Sequence, residues 1–457
     1  MSIVLAPSND TSVLAAAIQR ASATGQPLQL LPGRHFTQPG YNLDIPIGPL
    51  GLQMSAAPLG TAIVQRPDLS IGSNPLGRTD NNFGICLVPA PPTEQEIGGI
   101  QWRVHRPKNQ PPFEYGIIIR GDVAISKLTF DCNMGNQNVD KLPKAAVEHD
   151  AMLAISGRRY DQSERGPDGL PLKIFVGFQS VSVDQLDFLH GGFADDLWFP
   201  PGGFHPNIVK VTISRVHSHR LNKRRDSISF SGLSLEISIS DSVVDSLHCE
   251  VDPIWSDEPR ATKLFRPSQW NVARVVTDRI AIGAKGKVLN MDASELKARE
   301  SFEIAFASGR IQDSTLAIAP TRTRQFRLRQ FLFKNCTWLL GRDSTGAVRG
   351  LQPVTAFGDP FVATFDGNSF LAPGPIKGSL ITSGQYSRDV PGNRVDATFL
   401  KCHYQAGFGD QAANPGTFVA LAHERGTWTF AAVDLPSASP AAAISKGAQA
   451  DVVVNLV

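Results

Sequence analysis

One short motif recurs through the middle of this chain: apolar, any residue, apolar, two polar-tolerant positions, apolar. It reads VAISKLTF at Val123–Phe130, VSVDQLDF at Val181–Phe188 and VTISRVHS at Val211–Ser218. Looser copies stand at Ile237–Val244 (ISISDSVV) and Phe326–Phe333 (FRLRQFLF). The third copy begins 30 residues after the second, and the fourth 26 residues after the third. Both intervals lie in the range of single solenoid repeats. They are too short to hold a crossover helix in every unit, which disfavours a doubly wound α/β fold. Each unit reads as strand, turn and second strand, with loops of variable length between units. A β-sandwich also accommodates many short strands with turns. Equivalent strands recurring in chain order fit stacked parallel coils better.

The chain opens differently. In NDTSVLAAAIQRASATGQPLQLLPGRHFT, any of Asn9, Asp10 or Thr11 can cap a helix over about 11–23. Val13, Leu14, Ala17, Ile18 and Ala21 share one face of it, and Gly25 ends it. LQLLPGRHF then reads as a strand broken at Pro32–Gly33. A helix here can cover the end of a stacked sheet, whose unpaired edge would otherwise invite aggregation. Near the other terminus, TFVALAHERGTWTFAAVDL reads as a hairpin of final strands. The expected division is residues 1–410 as coils with their N-terminal cap, and 411–457 as a C-terminal β cap or oligomer contact.

Composition narrows the partners. Across 457 residues the formal net charge is +2, which argues against a general nucleic-acid binder. No apolar run approaches the roughly 20 residues that span a bilayer, so no membrane partner is expected. MSIVLAPSND lacks the basic and apolar regions of a signal peptide; the compartment stays open between cytoplasm, virion and, after processing, secretion. Five widely spaced cysteines form no CxxC motif and read as buried free thiols.

The opening DTSVLAAAIQRASATGQPLQLLPGRHF is similar to the start of pectate-lyase-like right-handed parallel β-helix proteins. LTFDCNMGNQ (Leu128–Gln137) resembles the strand and turn that often follow. NKRRDSISFSG and then LHCEVDP resemble consecutive coils of bacterial members. The resemblance spans roughly residues 9–340. It implies an all-β, right-handed parallel β-helix with an N-terminal capping helix, and a carbohydrate ligand. It also implies a homotrimer, with a site in a groove between subunits. The group includes hydrolases, lyases, epimerases, transferases and phage tailspikes, so fold does not select the reaction. The double aspartate of ADDLWF is not followed by Gly-His-Gly, which puts pectinase activity in doubt.

In parallel coils, equivalent positions on neighbouring turns lie about 4.8 Å apart. Three strand mouths, FADDLWF, RRDSISF and LHCEVDP, therefore bring Asp195, Asp196, Asp226, Glu250 and Asp252 toward one surface. His217, His219, Arg224, Arg225 and His248 approach the same region, and Trp198 and Trp255 offer faces on which sugar rings can stack. Glycoside cleavage needs two carboxyl groups about 5–9.5 Å apart, one giving a proton and one acting as base or nucleophile. Catalytic roles are expected for Glu250, Asp226, Asp196 and Asp195, and substrate binding for the others. Glu250 is assigned as general acid, because an acid on a half-buried strand is desolvated. Asp226, beside two arginines, is assigned as base or nucleophile. Turn termination by Asp195 and Asp196, and a solvated basic turn at Arg224–Arg225, account equally for those residues. His217 and His219 alternate on one side, but spacing supplies no third ligand, so no metal is expected.

The leading expectation is a glycoside hydrolase or transglycosidase acting on a polysaccharide or oligosaccharide without a cofactor. The alternatives are a polysaccharide lyase or epimerase, for which Ca²⁺ is a possible cofactor, and a non-catalytic tailspike module that binds glycans.

Overall fold

The structure is a computed structural model. It describes residues 1–37, 44–56, 60–65, 83–106, 111–132, 151–166, 169–191, 195–200, 208–220, 226–232, 234–251, 268–284, 289–318, 326–341, 361–371, 381–382, 394–405, 419–421, 425–433, 444–446 and 451–457. The chain divides into two compact units, Met1–Ser268 and Gln269–Val457. Both are built from parallel ladders, and the chain is an all-β parallel β-helix.

In the first unit the repeat motif aligns coil upon coil. Val123 pairs with Val181, Val181 with Val211, and Val211 with Ile237. Ile125, Val183, Ile213 and Ile239 form a second row one pleat away, and every member of both rows is at most 2% exposed. The second of the two polar-tolerant positions makes the corner. Lys127, Gln185, Arg215 and Asp241 all have φ between 52° and 59°, the left-handed region. A single left-handed residue costs about 1–2 kcal/mol, and the apolar residue after it offsets that by turning inward. Leu128, Leu186 and Val216 do so at 2%, 0% and 0% exposure.

Beyond this corner Phe130 and Phe188 stack at 5.2 Å, and Ser218 takes the same row on the next coil. A further parallel ladder runs through Phe83–Pro89, Ala151–Ile155, Asp195–Phe199, Ile228–Phe230 and the end of Ser234–Val251. Within it Phe199 and Phe230 stack at 4.5 Å.

The expected helix spans Ser12–Thr24. Of the three candidate caps it is Asp10 that acts: its Oδ1 accepts from the Ser12 N–H at 2.9 Å. Gly25 closes the helix at φ 66°. Leu14, Ala17, Ile18 and Ala21 are buried against the strands Leu28–Leu30, Gly33–Thr37, Asp44–Ile47 and Leu52–Ala56, so the helix covers the first coil. Among the described residues, two antiparallel excursions interrupt the parallel pattern. Arg103–His105 pairs with Phe113–Arg120, and Arg158–Arg165 pairs with the start of Pro171–Gly191.

The second unit repeats the scheme with more aromatic residues. Phe333, Phe365, Phe399 and Phe430 lie in register and stack at 5.1, 4.7 and 5.2 Å. Among the described residues its corners include Arg274, Glu295, Asp313, Asn335, Gly367, Lys401 and Ala432. Two sequence expectations change here. The motif seen at Phe326 actually begins at Phe331, which pairs with Ala363 and precedes the corner Asn335 by four residues. The terminal hairpin does not form. Val419–Leu421 and Arg425–Ala431 instead each join a parallel ladder, the latter between Val395–Leu400 and Asp451–Leu456.

The cysteines follow the same geometry. All five are free. Cys336 and Cys402 sit directly after a corner, and each sulfur donates to the carbonyl two residues back, at 3.4 Å. Among the described residues, no helix is long and apolar enough to cross a membrane.

Candidate functional site

The ladder that carries Asp195–Phe199 sets the site. Leu197 pairs with Ile228, and Ile228 with Leu247. Two residues before each of these stand Asp195, Asp226 and Asp245, one on each of three successive coils. Trp198, Ser229 and His248 form the row one residue later.

Asp226 and His248 meet across neighbouring coils. Asp226 Oδ2 lies 3.1 Å from His248 Nδ1, and both side chains are 27% exposed. At this distance a proton on Nδ1 can be donated to the carboxylate, and in the neutral form of the ring that tautomer has its lone pair at Nε2. Asp195 is 9% exposed, and its Oδ1 accepts from the Asp226 backbone N–H at 3.1 Å. Asp245 was not singled out from sequence. Its Oδ2 is buried and has no hydrogen-bond partner. An unsatisfied buried polar atom costs about 1–3 kcal/mol.

Beneath this surface lies a polar seam. Asp196 is 1% exposed, and its Oδ2 accepts from Ser218 Oγ at 2.5 Å. Ser218 Oγ is 3.0 Å from Ser227 Oγ. Ser227 Oγ in turn accepts from the Asp245 and Ser246 N–H groups at 3.0 and 3.3 Å. The Ser227 N–H returns a bond to Ser246 Oγ at 3.0 Å.

The sequence-predicted residues thus separate. Asp195, Asp196, Asp226 and His248 come together. The catalytic role expected for Asp196 is corrected: an acid 1% exposed and bonded to Ser218 does not reach a glycan. Asp195 is bonded to the Asp226 backbone and nearly as buried, so it supports its neighbour rather than facing substrate. The stacking role of Trp198 is corrected too. It is 4% exposed, clusters with Cys86, Val88, Ala151 and Ala154, and donates from Nε1 to Ser231 Oγ at 3.1 Å. A ring covered on both faces has no surface left for a sugar.

His217 is outside this constellation. It is about half exposed and lies 3.2 Å from Asp187 Oδ1 on the neighbouring coil. His219 is exposed. Arg224, Arg225, Asp252 and Trp255 fall outside the described residues, as does the side chain of Glu250, whose backbone belongs to the Ser234–Val251 strand. Among the described residues no group of three or more His, Cys, Asp or Glu is placed to hold a metal ion.

A signal for the missed residues was present in the motif. Two copies end in Phe, while the third ends in Ser218, so the aromatic row gives way to a hydroxyl where Asp196 needs one.

No protein-family model matches this chain, and no curated protein matches its sequence. Several solved structures align with it. The Azotobacter vinelandii mannuronan C-5 epimerase AlgE4 A-module aligns at 13% identity over 99% of this chain and 96% of that one, with a TM-score of 0.44. The Agl-KA catalytic domain aligns at 12% identity over 99% and 68%, with a TM-score of 0.42. The Azotobacter vinelandii mannuronan C-5 epimerase AlgE6 A-module aligns at 10% identity over 98% and 96%, with a TM-score of 0.33. At this level of similarity no residue role passes from them to this chain.

Proposed function

We propose that this chain is a carbohydrate-active enzyme that cleaves or rearranges glycosidic bonds on the outer face of its first unit, around Asp226. The observation that carries the reading is the Asp226–His248 pair on neighbouring coils, partly exposed above a buried polar seam. The resemblance of the opening segment and coils to carbohydrate-acting β-helix proteins supports a polysaccharide or oligosaccharide substrate.

In this reading Asp226 is the base or nucleophile, held toward the surface by its bond to His248. Glu250, on the same strand as His248, supplies the proton to the leaving oxygen. Asp245 adds a third carboxyl, one coil from Asp226. In the Ile228–Leu247 register Asp245 is the equivalent of Asp226, and Glu250 stands five positions further along the strand. The reading therefore requires the Asp226 and Glu250 side chains to lean toward each other to reach the roughly 6.5–9.5 Å carboxyl spacing of inverting enzymes. No cofactor is needed for this route. A homotrimer, with loops of adjoining subunits closing over substrate, remains part of the proposal.

The His248 geometry also favours a second reading. An imidazole whose Nδ1–H is bound to a carboxylate is a base at Nε2, suited to removing a proton next to a uronate carboxyl, as a lyase or epimerase must. Product analysis on a panel of neutral and uronic polysaccharides separates the two. A new reducing end without near-ultraviolet absorbance supports hydrolysis, and an unsaturated product supports elimination. An intact polymer with altered sugar stereochemistry supports epimerisation. An intact and unaltered polymer across the panel, with binding retained, would leave a glycan-binding module instead.

A further inference from the structure

We propose that Asp196 is a positioning residue, whose buried carboxylate sets the Asp226–His248 pair through a two-serine relay. The inference rests on the reading above, in which that pair is the centre of the chemistry.

The relay follows from proton counting. An ionised carboxylate only accepts, so the single Ser218 hydroxyl proton goes to Asp196 Oδ2, 2.5 Å away. The 3.0 Å contact between Ser218 and Ser227 must then be carried by the Ser227 proton. That leaves the lone pairs of Ser227 Oγ for the Asp245 and Ser246 N–H groups, the two donors observed. Each oxygen in the chain is thereby given one orientation, and the direction of every bond is set by the charge at its buried end.

The relay touches both halves of the pair without touching either side chain. Ser227 directly follows Asp226, and Ser246 stands two residues before His248. Reciprocal Ser227–Ser246 bonds lock these two coils in register at that point. Asp195 adds a brace from the preceding coil, by accepting from the Asp226 N–H. The seam occupies space that an aromatic side chain fills on the coils before it, since Ser218 follows Phe130 and Phe188 in their row. Apolar packing there would serve stability as well, because replacing buried ionic groups by well-packed apolar ones is often neutral or stabilising. A buried acid kept at this place therefore needs a reason, and fixing the geometry of the pair above it supplies one.

The test reads the tautomer of His248 by ¹⁵N NMR on full-length protein labelled at histidine, above the pH at which the ring is charged. In the wild type His248 should be the Nδ1–H form. Ser218→Ala and Asp196→Asn should move it toward the Nε2–H form, while His190 and His217, bonded to Asp131 and Asp187, stay unchanged. Ser218→Thr, which keeps the hydroxyl, should behave as wild type. Circular dichroism and melting confirm the fold in each case. Should Asp196→Asn not fold, Ser218→Ala and Ser218→Thr carry the comparison alone. A wild-type tautomer in folded Ser218→Ala, with Asp226→Ala altering it, would overturn the relay and leave the pair standing. An unchanged tautomer in Asp226→Ala, which has no acceptor for Nδ1–H, would show that the pair itself is absent, and the relay would fall with it.

Discussion

Asp226 Oδ2 and His248 Nδ1 lie 3.1 Å apart, on neighbouring coils and 22 positions apart in the chain. Asp226→Asn preserves shape but removes the charge that fixes the ring. If this pair drives the chemistry, turnover on the native glycan should fall by about 10²- to 10⁴-fold, the usual worth of acid–base catalysis. Glu250→Gln should lose a similar factor by removing the transferable proton. Melting temperature should change little in either variant. Wild-type turnover in Glu250→Gln would remove that residue from the mechanism.

Phe399 stacks between Phe365 and Phe430, at 4.7 and 5.2 Å, and is 1% exposed. Phe399→Ala should cost about 3–5 kcal/mol, combining lost transfer energy with a cavity that rigid coils cannot collapse. Phe399→Leu should cost distinctly less. Urea denaturation of the two variants measures the difference.

Gly309 pairs with Met291 at φ 131°, and a Cβ there would stand 1.9 Å from the Met291 carbonyl oxygen. The obstacle is backbone within a ladder, so it cannot swing aside. Gly309→Ala should therefore destabilise by about 2–4 kcal/mol, against the few tenths typical of surface changes. A variant as stable as wild type would mean that this coil spacing is softer than it looks.

Burial pushes the Cys336 thiol up to about 12 and the Cys402 thiol up to about 11. At pH 8 almost none of either is thiolate, the reactive form. Neither should react with a thiol reagent in native protein, and both should react once denaturant opens the coils. Mass spectrometry of labelled peptides reads each site separately.

Asp184 accepts from Arg215 and from Ser214, and the Arg215 bond holds its carboxyl below the usual carboxylate range. A depressed folded-state pKa stabilises above the unfolded value, near pH 4, and the contribution fades as pH falls through the folded value. Arg215 is about half exposed and solvent screens the pair, so the effect is small. Asp184→Asn should melt slightly below wild type at neutral pH, and the gap should close as pH falls through the lowered folded-state value.

Much of the architecture was legible because parallel coils copy local pattern into space. The spacing from Val181 to Val211 and from Val211 to Ile237 is the register itself. The capping helix was legible for the same local reason, since Asp10, a run of small apolar residues and Gly25 act within a few positions of one another. The corners were visible only as tolerant positions. A left-handed φ is taken by Lys127, Gln185, Arg215 and Asp241 alike, so residue type does not announce it. The final strands misled because an alternating strand does not say whether its partner is next in the chain or lies on another coil.

For the site, sequence alone determined that acids recur at strand mouths and that stacking would gather them. Which of them face solvent was decided by tertiary structure. Asp195 and Asp196 are adjacent and chemically identical, yet one braces the Asp226 backbone and the other is sealed against Ser218. Asp245 enters the same column with no motif to mark it. These roles depend on the neighbouring coil, which lies 19–31 residues away in the chain and supplies the donors. A carboxylate's chemistry is set by what surrounds it, and in a coil stack those surroundings come from the turns above and below.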